Sequence, residues 1–148
     1  MLEWGIAALI LVALVWVFER QASIVQGQSE RMAVRVTIRV LRDALVVDRL
    51  LKGSRAVAGT ATPNPFSLLE SLPANFAGEI AASKVSTAAP GSWVFDPQCP
   101  CVGYRLMFPQ WLEPAQLDDT IWFRLSTSGA EARLVPRVPY LWLEQPLH

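Results

Sequence analysis

Few residues in this chain have the types and spacing that chemistry requires. Cys99 and Cys101 flank one proline, His148 is the single histidine, and Asp118 and Asp119 adjoin. Two thiols and one distant imidazole fall short of the roughly four soft ligands at fixed spacing that a zinc ribbon needs, so no metal site is expected. Adjacent carboxylates at a strand entry point to opposite sides, which suits a loop and not an acid/base pair. No serine occupies a nucleophile elbow and no glycine-rich loop precedes a helix. The expectation is a protein that is not an enzyme and carries no cofactor. Cys99 and Cys101 remain as a possible disulfide, either an incidental bridge within a turn or a structural or redox pair with another partner, and such bridges belong to oxidising compartments.

The elements that would position any functional group differ between the two halves of the chain. With 148 residues, 52% of them hydrophobic, only 18% charged and a mean hydropathy of +0.29, this is one domain's worth of protein, oilier than a soluble domain usually is. Formal net charge is zero, which leaves no global field to hold nucleic acid. All eleven prolines lie at or beyond Pro63, so the first 62 residues can be helical almost without a break. Charge divides at the same place: residues 1–55 carry a surplus of three positive charges and residues 56–148 a surplus of three negative ones.

Residues 4–18 are fifteen uncharged residues, about 22 Å of helix. Met1 and Leu2 extend the run beyond Glu3, and Ala22, Ile24 and Val25 extend it beyond Glu19 and Arg20, whose side chains can snorkel. Trp4, Trp16 and Phe18 suit membrane interfaces. The segment 1–25 is expected to be a transmembrane helix, because a secretory signal would bring a basic leader and a small-residue cleavage site that this stretch lacks. Helical periodicity continues over 26–53. Val34, Ile38, Leu41 and Leu45 share one face, while Met32, Val36, Val40, Val47, Leu50 and Leu51 gather on another. Between them runs a basic stripe of Arg31, Arg35, Arg39, Arg42 and Arg49. It is expected to be a solvated face, with docking of partner carboxylates or lipid phosphates as its functional alternative. Two apolar faces predict two coverings: the chain's own domain over one and a partner helix over the other.

Gly53 and Ser54 predict the end of that helix. Residues 54–91 are expected to be loop with one short helix over 65–72, stopped by Pro73. Residues 92–148 predict an antiparallel sheet: a strand at 92–95, a turn at 96–101, alternating strands at 102–108 and 121–126, a turn at Ser128-Gly129 and a return strand over 132–138. Trp93, Trp122 and Trp142 are expected in the core. Trp111 is the least explained aromatic and a candidate partner contact. The fold class is therefore α+β, a long N-terminal helix packed on a small antiparallel β-sheet.

Several segments also carry a family resemblance: Leu-Pro-Ala-Asn-Phe-Ala-Gly-Glu-Ile at 72–80, Pro-Gly-Ser-Trp-Val-Phe-Asp at 90–96, Gly-Tyr-Arg-Leu at 103–106, Phe-Arg-Leu at 123–125 and Val-Pro-Tyr-Leu-Trp at 138–142. With the apolar-then-amphipathic helix, they resemble the type IV pilins and pseudopilins, and in particular the small membrane-anchored biogenesis proteins of the mannose-sensitive haemagglutinin (MSHA) type of pilus. That resemblance implies a bacterial inner-membrane anchor, a periplasmic C-terminal domain and a role in assembling a type IV pilus or a type II secretion apparatus, with other assembly proteins and membrane lipid as partners. It implies neither nucleic acid nor a small-molecule ligand. The positive-inside rule would place Arg20, Arg31 and Arg35 in the cytoplasm; the resemblance places them outside, and the expectation follows it. A prepilin carries a basic leader ahead of a glutamate near the mature start. Glu3 stands without one, so the chain is read as an uncleaved accessory component, with a minor pilin or pseudopilin whose assembly glutamate is Glu3 as the alternative. A membrane-tethered periplasmic ligand-binding domain is the alternative of another class.

Overall fold

The structure is a computed structural model that describes residues 2–52, 64–126 and 133–147, the side chains of Leu2, Glu3 and Lys52 excepted. Helix α1 (Leu2–Lys52) runs unbroken for 51 residues, about 76 Å at the helical rise, as expected of a stretch without proline. Its first half touches almost nothing: from Trp4 to Phe18 every residue is exposed. Its second half bears on the rest of the chain through the predicted stripe. Val34, Ile38, Leu41 and Leu45 are all buried, Leu41 completely.

They face a five-stranded sheet of order β1-β2-β3-β5-β6, made of Phe76–Glu79, Trp93–Asp96, Cys101–Arg105, Thr120–Ser126 and Arg133–Pro136. Strands β2, β3, β5 and β6 are antiparallel neighbours, with Tyr104 opposite Trp93 and Ile121 opposite Tyr104. On the helix side of the sheet lie Trp93, Phe95, Val102, Tyr104, Ile121 and Phe123. A separate three-stranded sheet, β4 (Leu112–Glu113), β7 (Leu141–Trp142) and β8 (Gln145–Pro146), adds Leu112 and Trp142 to the same core.

Four features differ from the expectations. The sheet is mixed, because β1 pairs parallel with β2. Residues 54–91, expected as loop with one helix, contain that strand. The helix expected over 65–72 is one 3-10 turn, Pro65–Leu68, held by Asn64 Oδ1 accepting from the Phe66 amide at 3.0 Å, and a second turn follows over Ala82–Thr87. The second turn explains why the sheet is buried on both faces and not one: Val85 and Ala88 pack on Val94, Cys101 and Trp122. Asp96 positions it, Oδ2 accepting from the Ala82 amide and Oδ1 from Gln98, both at 2.8 Å. Finally, the strand expected over 102–108 stops at Arg105 and that over 132–138 at Pro136. The turns expected at Gly53-Ser54 and Ser128-Gly129 lie outside the described residues, as does His148.

Edge strand β6 is blunted by Pro136, which has no amide to offer a further strand. The centre of the sheet depends on Gly103. A Cβ there would come within 2.7 Å of Trp122 Cζ3 and 2.8 Å of Val94 Cγ2, so the indole lies where a side chain would be. Gly103→Ala should lower stability by about 1–3 kcal/mol through overpacking, read as a reduced midpoint in urea unfolding of the detergent-solubilised chain; an unchanged midpoint would show that the indole can move aside.

Candidate functional site

Helix α1 presents the groups with functional potential, and they sort by face. The buried stripe continues toward the N-terminus beyond Val34. Four residues earlier stands Glu30, only 7% exposed. Its carboxylate receives three donors: Met107 N at 2.6 Å and the Tyr104 hydroxyl at 3.1 Å on Oε1, and Phe108 N at 3.2 Å on Oε2. Here β3 has just ended. The amides of 107 and 108, which would otherwise have extended the ladder, turn to the helix instead. Burial pushes the Glu30 carboxyl above its ordinary 4.5, against the opposing pull of those hydrogen bonds. Tyr104 is raised as well, by burial first and then by the adjacent Glu30 charge.

Three residues further toward the N-terminus, Gly27 receives Trp111. A Cβ on Gly27 would lie 2.7 Å from Trp111 Cδ1, so the missing side chain is what lets the indole close on the backbone. Trp111, the least explained aromatic and a candidate partner contact by sequence, makes an internal contact at the point where the helix leaves the domain.

The arginine stripe is not the solvated face expected of it. Arg31 is buried and donates through Nη1 to Gln145 Oε1, and burial lowers its pKa, with the Arg35 charge adding to the effect. Arg35 Nη2 donates to the Pro146 carbonyl at 3.0 Å, and Arg42 Nη2 to the Leu134 carbonyl at 2.9 Å. Three of the five thus stitch the helix to β8 and β6. Arg39 is exposed, and Arg49 half-buried.

Opposite the buried stripe the helix is bare. Met32, Val36, Val40, Val47, Leu50 and Leu51 are exposed, Val36 to 55% and Val40 to 46%. This face runs on into the uncovered apolar segment that begins at Trp4, which is long and apolar enough to cross a membrane. Arg20 sits over the Trp16 ring at 5.7 Å from its centroid, a cation–π contact at the polar end of that segment. The side chain of Glu3 lies outside the described residues.

Away from the helix, Cys99 and Cys101 are bonded to each other in the turn between β2 and β3. Asp118 accepts from Trp122 Nε1 at 3.1 Å and from the Thr120 amide at 3.2 Å, a loop role, as its sequence position suggests. Among the described residues no group of three or more His, Cys, Asp or Glu could hold a metal. Sequence periodicity could have flagged Glu30 and Gly27, since both fall on the line of Val34, Ile38 and Leu41 when it is extended one and two turns back.

Replacing Glu30 with Ala would orphan buried amides and should cost about 2–4 kcal/mol, with Glu30→Gln milder. The folded carboxyl binds its proton more tightly than the unfolded one. Its contribution is therefore largest below pH 4.5 and is lost as pH rises through the raised folded value. Thermal midpoints measured from pH 4 upward should fall more steeply in the parent chain than in Glu30→Gln; parallel curves would place the titration elsewhere. Compared with family models, curated proteins and solved structures, the chain matches none of them.

Proposed function

We propose that this chain is a single-pass, membrane-anchored component of type IV pilus biogenesis of the MSHA type, with its C-terminal domain in the periplasm, acting by helix packing and protein–protein contact. The observation that carries the proposal is the division of labour along one continuous helix. Residues 4–18 are uncharged and exposed, the stripe Val34, Ile38, Leu41 and Leu45 carries the sheet, and the stripe through Val36 and Val40 is apolar and exposed, with none of the described residues over it. A soluble protein would pay for that exposed surface at about 25 cal/mol per Å², whereas lipid and a neighbouring helix remove it from water. The segments resembling MSHA-type proteins direct the choice among membrane assemblies. Because Arg31, Arg35 and Arg42 are engaged by the chain's own sheets, recognition on the stalk falls to the apolar stripe and not to the basic one.

The test separates folding from association. Val36→Asp and Val40→Asp should leave the unfolding free energy within about 1 kcal/mol of the parent's, since exposed positions tolerate charge. They should abolish crosslinking from a photoreactive residue at position 33 to other assembly proteins in the native membrane. Ile38→Asp, on the buried stripe, should unfold the domain. Equal crosslinking in all the folded variants would rule out helix packing through this stripe.

A further inference from the structure

The outer face of the sheet carries a groove to which no residue of α1 contributes. Strand alternation puts Trp122, Arg124 and Ser126 of β5 on that face, and β6 contributes Val135. Arg137, just beyond β6, donates its amide to the Trp122 carbonyl at 2.8 Å. The cavity so formed measures about 810 Å³ and is walled on its far side by the loop that carries Leu117 and Asp118. Arg124 stands opposite Val135 in the register, so Arg124 and Arg137 are diagonal neighbours across the two strands, roughly 7–8 Å apart. Both are exposed, and among the described residues neither guanidinium makes a hydrogen bond or ion pair. Arg31, Arg35 and Arg42 are spent on their own chain; these two line an open groove.

The geometry points to this groove as a docking site for a carboxylate-bearing peptide segment of a partner protein, held by Arg124 and Arg137 with its apolar neighbour seated against Trp122, Leu117 and Val135. Charge balance selects the carboxylate. Asp118 is a resident negative charge in the same groove, already accepting from Trp122 Nε1 and Thr120 N, so the two guanidiniums leave a net single positive charge. That matches a monoanion and disfavours a dianionic phosphate, and a nucleic-acid backbone would need a longer basic track than two side chains. Guanidinium forks recognise carboxylates bidentately, and the apolar walls give an acidic peptide more to hold than a free ion has. This assignment stands apart from the proposed role in the membrane, because no residue of α1 lines the groove.

Fluorescence anisotropy tests it on the full chain in detergent, using a labelled, end-blocked Ser-Glu-Phe-Ser peptide and its Ser-Gln-Phe-Ser counterpart. The acidic peptide should bind and the amide peptide should bind at least about tenfold more weakly, the discrimination expected of charge-assisted hydrogen bonds. Arg124→Gln with Arg137→Gln should abolish that difference without moving the thermal midpoint. Trp122 is left intact, so loss of fold does not enter. Equal binding of the two peptides, or unchanged binding to the double variant, would overturn the assignment. Competition by sodium acetate or inorganic phosphate at concentrations matching the peptide's own affinity would overturn it as well, showing a site for small anions.

Discussion

Everything in this protein depends on twelve residues of helix. Between Val34 and Leu45, four apolar side chains at helical spacing are the contact by which a 51-residue helix holds a sheet. Most of a helix's stability in water comes from packing one face and not from its own hydrogen bonds, and from Trp4 to Phe18 every residue of α1 is exposed. The stripe therefore serves two elements. It closes the core for a sheet whose own hydrophobic face includes Trp93, Phe95, Val102 and Phe123, and it fixes the direction in which the uncovered half of the helix projects.

Apolar stripes are poor at setting register, because sliding one turn along a helix exchanges one aliphatic contact for another. The polar groups remove that freedom. Glu30 accepts from the corner where β3 ends, Arg42 reaches the Leu134 carbonyl, and Arg31 and Arg35 reach β8. Removing a carboxylate and a guanidinium from water costs more than each bond returns, but a slipped helix would leave those charges buried with no partner at all. Gly27 completes the alignment from the other direction: only at that position along the helix can the Trp111 ring approach the backbone. The hydrophobic contact supplies attraction, and these five groups supply position.

Long periodic elements were legible in the sequence, and short or polar ones were not. The proline-free half, the buried stripe and the strands around 93–95, 102–105 and 121–126 follow from patterns that span several residues and repeat. Strand β1 is four residues long with Gly78 at a positive φ, and β4, β7 and β8 have two residues each; two residues have no period to detect. The arginines misled for a different reason. Periodicity says which side of a helix a residue occupies but not what stands beside it, and a flank of the helix next to the sheet looks the same in sequence as a flank next to water. Glu30 was obscured because a charge on an apolar line reads as an interruption, when here it marks the end of the contact.

The same geometry bears on how a contact made at one end of the molecule could be felt at the other. Because α1 is continuous and is gripped by position-setting groups at Gly27, Glu30 and Arg42, the domain cannot pivot on the helix without breaking buried hydrogen bonds. A rigid joint means that whatever holds residues 4–25 also sets the height and azimuth of the sheet, and with it the direction in which the groove of Arg124 and Arg137 opens. That groove is on the sheet face turned away from α1, separated from the stalk by the full thickness of the sheet. The bare stripe of Val36 and Val40 is on the opposite side of the helix. Two surfaces so placed cannot compete for one partner. They suit a component that stands between two neighbours, one packed along its helix and one reached across its sheet, with the buried stripe fixing the geometry between them.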